Sequence, residues 1–146
     1  FEGSTYREPP YRFEAGTPAI VETIGLGAAI DWVEAVGIDN IAAHEVDLLD
    51  YAMDQLGAAN DVRIFGTTDS KISVLAFLLG DHHAHDVGTI LDRTGVALRV
   101  GQHCAEPLHN RLGVHSTARA SFAAYNSRED GDGLLEGLAV CRELLG

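Results

Sequence analysis

The chain has 146 residues, of which 46% are apolar, and this is enough for one globular domain with a hydrophobic core. Its formal net charge is −12 and its only lysine is Lys71, so it has no polybasic stripe to neutralise phosphates, and nucleic acid is not an expected partner. No apolar run is long enough to cross a bilayer and no signal peptide is recognisable, which favours a cytoplasmic protein without a membrane partner.

A first helix is predicted to begin at Thr17 and Pro18 and to run to about Ala35. Threonine caps free backbone N–H groups at a helix start, and proline fits the first helical position because it has no N–H to satisfy. Gly37 is predicted to end this helix. Apolar residues recur at four-residue spacing and predict a core-facing stripe made of Ile20, Ile24, Ala28 and Trp32.

A second helix is predicted from a cap at Asp39 to about Leu56, with one apolar side made of Ile41, Val46, Leu49 and Met53. Strands are predicted over residues 62–66, 73–79, 96–99 and 118–125, and helices over 87–94, 107–112 and 129–145. The second strand is apolar on both faces, as central strands are. These elements predict an α/β (α+β) fold in which a small mixed β-sheet is covered by helices on one side.

Residues 99–107, with the sequence RVGQHCAEP, contain a candidate nucleophile. Cys104 falls on a loop between a predicted strand and a predicted helix, near Arg99 and His103. The thiolate is the reactive form of cysteine, and positive potential favours it. The alternative is a buried structural thiol, which is the interpretation we give to Cys141 in the apolar closing helix. His103 either shuttles protons or hydrogen-bonds the backbone.

Arg119 stands among small and apolar residues in a predicted strand. A buried guanidinium without a partner is costly, so this side chain either meets a protein carboxylate or faces a pocket that receives an anion. The residues on either side do not decide between these two alternatives.

Two further motifs have an ordinary structural interpretation beside a functional one. The run Asp81–Asp86, with the sequence DHHAHD, resembles a metal-ligand cluster, but adjacent side chains point in different directions and His85 and Asp86 stand where a helix cap is needed. We therefore predict no metal site. Gly16 and Thr17 at a helix start could present donors to a phosphate, or Thr17 could be a plain cap.

Four segments carry a resemblance to a known family over nearly the whole chain: Arg12–Pro18, Ile24–Ala29 with Asp39–Glu45, Arg99–Pro107 and Thr117–Asn126. In this order and spacing they resemble the C-terminal small domain of Suf-type (group II) cysteine desulfurases, pyridoxal 5'-phosphate (PLP) enzymes of the class V aminotransferase superfamily. The resemblance implies the C-terminal domain of a fold-type I PLP enzyme. Residues 1–16 would be a linker or active-site segment at the large-domain boundary, and residues 17–146 the small domain with the nucleophile loop.

The resemblance also implies roles for single residues. Cys104 would take the sulfur of L-cysteine as an enzyme-bound persulfide and leave L-alanine. Arg119 would hold the substrate carboxylate, and Arg99 would be a second substrate-binding arginine. Thr17 would reach the PLP phosphate of the neighbouring subunit in a homodimer. The persulfide would pass to a sulfur-acceptor protein of the Suf system for iron–sulfur cluster assembly.

One departure from the family pattern is important. The Schiff-base lysine of the family lies upstream of Phe1, and Lys71 does not match it, so the resemblance implies that this chain alone is inactive. Two alternatives stay open. Selenocysteine lyase, or another class V aminotransferase-like enzyme, shares much of the framework. A non-catalytic module that docks a sulfur acceptor or the rest of a split enzyme would also account for the acidic surface.

Overall fold

The computed structural model describes residues 3–146 and divides the chain into two compact units, the first ending at Ile38 and the second running from Asp39 to Gly146. The first unit contains a short 3-10 helix, Tyr11–Phe13, and helix α1, Ile20–Val36. The predicted linker 1–16 begins with Phe1 and Glu2, which lie outside the described residues. The boundary predicted between residues 16 and 17 stays a prediction.

Helix α1 begins at Ile20, two residues after the predicted first helical position, Pro18. Its N-cap residue is Ala19, which forms no side-chain capping bond, so the prediction that Thr17 caps this helix is wrong. The end is as predicted: Gly37 has a φ of 90°, and its N–H donates to the Val33 carbonyl at 2.9 Å. A left-handed residue at this position is favourable only for glycine, which explains why the helix ends there.

The apolar stripe predicted for α1 is not buried. None of the 17 residues of the helix is buried, and Ile24 is 70% exposed. Apolar side chains surround most of this helix instead of marking one side of it. The four-residue spacing therefore does not identify a buried face. Among residues 3–146, no helix combines the length and the hydropathy that a membrane crossing requires.

The second unit is a four-stranded sheet with helices. Helix α2 spans Ile38–Gly57 and leads into it. The other elements are β1 Val62–Phe65, β2 Val74–Leu79, α3 Ala84–Arg93, β3 Arg99–Gly101, α4 Glu106–Leu112, β4 Thr117–Ser121 and α5 Arg128–Leu145. The strand order is β1-β2-β4-β3, which confirms that β2 is central. The α/β fold class is confirmed. The three pairings are antiparallel, whereas the sequence predicts a mixed sheet, because element order alone does not determine strand direction.

One face of the sheet carries the core. Burial alternates along β2, where Leu75, Phe77 and Leu79 are almost fully buried, and Ala118 and Ala120 continue the same face on β4. Phe122, directly after β4, also belongs to this core. Helices α2, α3 and α5 contribute its remaining members: Leu48, Leu49, Ala52, Leu56, Val87, Ile90, Leu91, Leu134, Leu138 and Cys141.

The structure confirms part of the predicted core and corrects part of it. The predicted apolar side of α2 is right for Leu49 and for Met53, which packs against the core, and wrong for Val46, which is 46% exposed. Cys141 is fully buried, as predicted, and both cysteines are free thiols. The second unit therefore needs no disulfide to hold its core together.

Local hydrogen bonds explain where the predicted boundaries are wrong. Helix α3 begins at Ala84, because the His83 ring accepts from the His85 N–H at 3.3 Å and acts as the cap, so His85 lies inside the first turn. Strand β3 begins at Arg99 instead of Val96, because the Val96 N–H donates to the Leu91 carbonyl and ties this residue to the end of α3. Strand β4 is also shorter than predicted and ends at Ser121.

The other face of the sheet positions the site. Residues paired across the strands form one row from Phe65 through Ala76 and Arg119 to Arg99. Because Ala118 and Ala120 point into the core, Thr117 and Arg119 point away from it. Helix α4 lies on this second face, so helices cover both sides of the sheet where the sequence predicts one.

Candidate active site

Cys104 lies on a tight turn between β3 and α4, as the sequence predicts. His103 and Cys104 have φ values of 53° and 59°, and the Ala105 N–H donates to the Gln102 carbonyl at 2.8 Å. Two consecutive central residues with positive φ are typical of a type I′ turn, which usually contains glycine, asparagine or aspartate. Residues held there against their preference cost about 1–3 kcal/mol each and cluster at functional sites. The thiol of Cys104 is exposed.

Arg99 contacts the sulfur of Cys104. Its Nη2 donates to Sγ over 3.7 Å, from the first residue of β3 across the turn. A guanidinium donor at this distance offers the sulfur a hydrogen-bonding, positively charged partner. The structure therefore places one of the two predicted arginines directly at the predicted nucleophile.

Arg119 faces a cavity instead of a protein carboxylate. The cavity has a volume of about 380 Å³, and its apolar walls include Phe65, Ala76, Leu108 and Leu112. The Nε of Arg119 is buried and has no hydrogen-bond partner, and no carboxylate forms an ion pair with this side chain among residues 3–146. Of the two alternatives left open by the sequence, the structure favours a pocket that receives an anion.

Two histidine rings meet at one hydroxyl beside this cavity. His103 Nε2 lies 3.0 Å from the Thr117 Oγ1, and His109 Nε2 lies 3.2 Å from the same atom. The opposite nitrogen of the buried His109 ring, Nδ1, lies 3.1 Å from the Ala105 carbonyl oxygen. His103 therefore contacts the Thr117 side chain, and its own Nδ1 is buried without a partner among the described residues.

Burial lowers the pKa of His103, and the nearby Arg119 guanidinium, His109 and Arg99 lower it further. The ring is thus neutral at neutral pH. A neutral ring offers one donor and one acceptor nitrogen. The site as a whole contains two guanidinium groups, one exposed thiol and a neutral imidazole.

The sequence offers three further candidates: Thr17, Lys71 and the histidine-rich run. Thr17 is exposed in the first unit. Lys71 donates from Nζ to the Gly66 carbonyl at 2.8 Å, and partial burial lowers its pKa. His83 and His85 stack on each other with ring centroids 5.2 Å apart, and no group of three or more metal-binding side chains occurs in the described part of the chain.

Sequence analysis missed Thr117 and His109 as members of this site. Thr117 stands at the start of the segment that resembles the family. Threonine is common in strands, so its hydroxyl gave no signal of a role in the site. His109 is a buried polar residue, 4% exposed, in a helix of only seven residues. A helix this short shows no reliable apolar period, so its buried side was not readable from the sequence.

Comparisons with known proteins identify the family of the chain. The sequence profile of the aminotransferase class-V family matches residues 1–134. A cysteine desulfurase of Escherichia coli O127:H6 is 48% identical over 145 residues, which cover 99% of this chain and 36% of the relative. A cysteine desulfurase of Haloferax volcanii is 43% identical over 145 residues, 99% of this chain and 34% of the relative.

A solved structure gives the same result for the fold. The crystal structure of the cysteine desulfurase CsdA from Escherichia coli matches with a TM-score of 0.83 and 40% identity, covering 99% of this chain and 36% of that chain. The chain thus spans little more than a third of the length of these relatives. Since the family profile matches all but the last 12 residues, the chain belongs to the aminotransferase class-V family.

Proposed function

We propose that this chain provides the nucleophile and the substrate-carboxylate clamp of a PLP-dependent cysteine desulfurase of the Suf type. The observation that carries the proposal is the contact of Arg99 with the exposed Cys104 sulfur on a turn with two left-handed residues. The unpaired Arg119 beside it supports a substrate with a carboxylate. The relatives named cysteine desulfurase support L-cysteine as that substrate.

The residues of this chain fit the substrate side of a PLP site. The buried Nε of Arg119 lacks an acceptor, and a substrate carboxylate would satisfy it. The exposed Thr17 would donate to the PLP phosphate of a neighbouring subunit in a homodimer. Lys71 does not fit the cofactor lysine, because its Nζ is engaged by the Gly66 carbonyl. When bound, PLP provides the electron sink for cleavage of the substrate C–S bond.

In the proposed reaction the Cys104 thiolate attacks the sulfur of L-cysteine. An S–S bond forms to Cys104 while the Cβ–S bond of the substrate breaks, and the electron pair of that bond stays with the substrate carbon and takes up a proton. The sulfur is oxidised to the persulfide level and Cβ is reduced to a methyl group. L-cysteine and the enzyme thiol thus become L-alanine and the enzyme persulfide, and no external oxidant is required.

The protein side of this reaction divides among three residues. Arg119 binds and orients the carboxylate, Arg99 contacts and positions the sulfur nucleophile, and the turn presents Cys104 to solvent. An exposed thiol suits transfer of the persulfide to a second protein, which we propose is a sulfur acceptor of the Suf system, for iron–sulfur cluster assembly in the cytoplasm. Without a cofactor lysine, we expect the isolated chain to be inactive.

The test measures alanine release from L-cysteine by the full-length protein that carries this chain. Cys104→Ser is expected to abolish release and the mass gain of one sulfur atom, while Cys141→Ala, a control at the buried thiol, is expected to retain both. Full turnover of Cys104→Ser with L-cysteine would overturn the proposal. Release from L-selenocysteine alone would favour a selenocysteine lyase, and release from neither amino acid would favour a docking module.

A further inference from the structure

We infer that Thr117 is the positioning residue of the Cys104 turn, because its hydroxyl joins His103 to His109 in one directed chain of hydrogen bonds. This inference rests on the proposed function only for its catalytic consequence. The chain of contacts runs from the Ala105 carbonyl through His109 and Thr117 to His103, and both of its ends lie in or beside the turn that holds Cys104.

The direction of the chain follows from what each atom can do. A carbonyl oxygen only accepts, so His109 Nδ1 must carry the proton that it donates to Ala105. With a neutral His109 ring, Nε2 then accepts, and the single hydroxyl proton of Thr117 must be donated to it. The same Thr117 oxygen therefore accepts from His103, which must carry its proton on Nε2.

The surroundings of the His109 ring within residues 3–146 contain no acidic partner. The ring is 4% exposed, and its contacts in the described part of the chain are the Ala105 carbonyl, the Thr117 hydroxyl and the His103 ring. None of these is a carboxylate, and an unpaired buried charge is costly. The opposite direction of the chain would also put the ring proton of His103 on Nδ1, where a buried N–H would have no acceptor among the described residues.

The consequence for Cys104 is mechanical. His103 and Cys104 are the two central residues of the turn, and both occupy a backbone region that residues other than glycine avoid. The hydrogen bond at Nε2 fixes the His103 ring, and this keeps the backbone of His103 in its positive-φ conformation. The turn then holds the Cys104 sulfur next to Arg99. The shape of the turn thus depends on Thr117, whose hydroxyl water cannot replace because the residue is only 2% exposed.

The first experiment reads the proton positions directly. Nitrogen-15 shifts of the histidine rings distinguish protonated from bare nitrogens in the 146-residue chain. We expect the proton of His103 on Nε2 and that of His109 on Nδ1. A proton on His103 Nδ1, or a doubly protonated His109 at neutral pH, would contradict the directed chain.

The second experiment compares Thr117→Val, which has no hydroxyl, with Thr117→Ser, which keeps it. Alkylation of Cys104 by iodoacetamide at neutral pH is expected to be about three to ten times slower in Thr117→Val, and within about twofold of the parent in Thr117→Ser. Protection of the buried Cys141 from the same reagent verifies that each variant is folded. Equal rates in the two variants would overturn the positioning role.

A double mutant separates positioning from a general loss of stability. If Thr117 acts by keeping the sulfur at Arg99, Thr117→Val is expected to slow alkylation no further once Arg99→Gln is present. In the full-length protein, Thr117→Val is expected to lower kcat for alanine release and to leave KM for L-cysteine unchanged. A parent without alanine release would end the proposed function, while the ring protons and alkylation rates would still decide the role of Thr117.

Discussion

Arg99 and Arg119 lie directly opposite each other on β3 and β4. Like charges at paired positions of an antiparallel sheet destabilise it, and neither guanidinium forms an ion pair within residues 3–146. Arg99 has the Cys104 sulfur as its acceptor, while the Nε of Arg119 has none. The pair therefore concentrates positive charge beside the Cys104 turn. The first two predictions follow from this arrangement.

Arg119→Gln is expected to stabilise the chain, although most substitutions destabilise. Removing one of two opposed charges should raise the free energy of unfolding by about 0.2–1 kcal/mol, the usual range for a cross-strand pair. Urea unfolding at low ionic strength measures this, and salt should reduce the gain. A lower free energy of unfolding in the variant would show that Arg119 has a stabilising partner.

Arg119→Lys is expected to impair substrate binding in the full-length protein. Lysine keeps the positive charge but not the planar fork that pairs with a carboxylate through two hydrogen bonds. Loss of one charge-assisted hydrogen bond should lower kcat/KM for L-cysteine by about 10- to 100-fold. Steady-state kinetics of alanine release checks this, with Arg111→Lys on the exposed surface of α4 as the matched control. Unchanged kinetics would place the carboxylate elsewhere.

The ion pair between Arg142 and Asp61 is expected to make stability depend on pH. The pair is bidentate, at 2.6 and 2.9 Å, and the Arg142 guanidinium lowers the pKa of the Asp61 carboxyl. An acid with a lowered pKa in the folded state stabilises the fold above its unfolded pKa of about 3.9, and this contribution disappears as the pH falls through the folded value.

Arg142→Gln should therefore reduce the free energy of unfolding by about 0.5–1 kcal/mol at pH 7, since both side chains are partly exposed. The difference from the parent should shrink between pH 5 and pH 3, as urea unfolding at each pH will measure. A difference that stays constant over this range would show that Arg142 stabilises the fold through packing alone.

Two glycines of α5 should respond oppositely to alanine. A Cβ at Gly137 would lie 2.5 Å from Leu91 Cδ2 and 2.9 Å from Thr94 Oγ1, and the fully buried Leu91 has no room to move. Gly137→Ala should therefore lower the free energy of unfolding by about 1–3 kcal/mol. At Gly133 the nearest atom, Val96 Cγ2, is 4.0 Å away.

Gly133→Ala should accordingly raise the free energy of unfolding by about 0.5–1 kcal/mol, because alanine restricts the unfolded helix segment and clashes with nothing. Both variants replace glycine by alanine in the same helix. The free energy of unfolding of each, measured by thermal unfolding, therefore separates the effect of packing from that of backbone entropy. Equal effects of the two substitutions would mean that α3 and α5 are not in close contact in solution.

Much of the site is local and was accessible from the sequence. The position of Cys104 on a turn depends only on neighbouring residues, and so does the presence of Arg99 five residues before it. The same is true, outside the site, of the end of α1 at Gly37. The start of β3 was misplaced because a single hydrogen bond holds Val96 to the end of α3. Such a bond competes with the strand and leaves no trace in apolar periodicity.

The sequence by itself determined the position of Cys104 between a strand and a helix, the family resemblance and the alternation of strands and helices, because these depend on residue type and short spacing. Only the tertiary structure decided that Arg119 has no carboxylate partner within residues 3–146 and that Thr117 joins His103 to His109. Both decisions depend on which side chains share the second face of the sheet. Strand register sets that, and register arises from pairing between segments far apart in the chain.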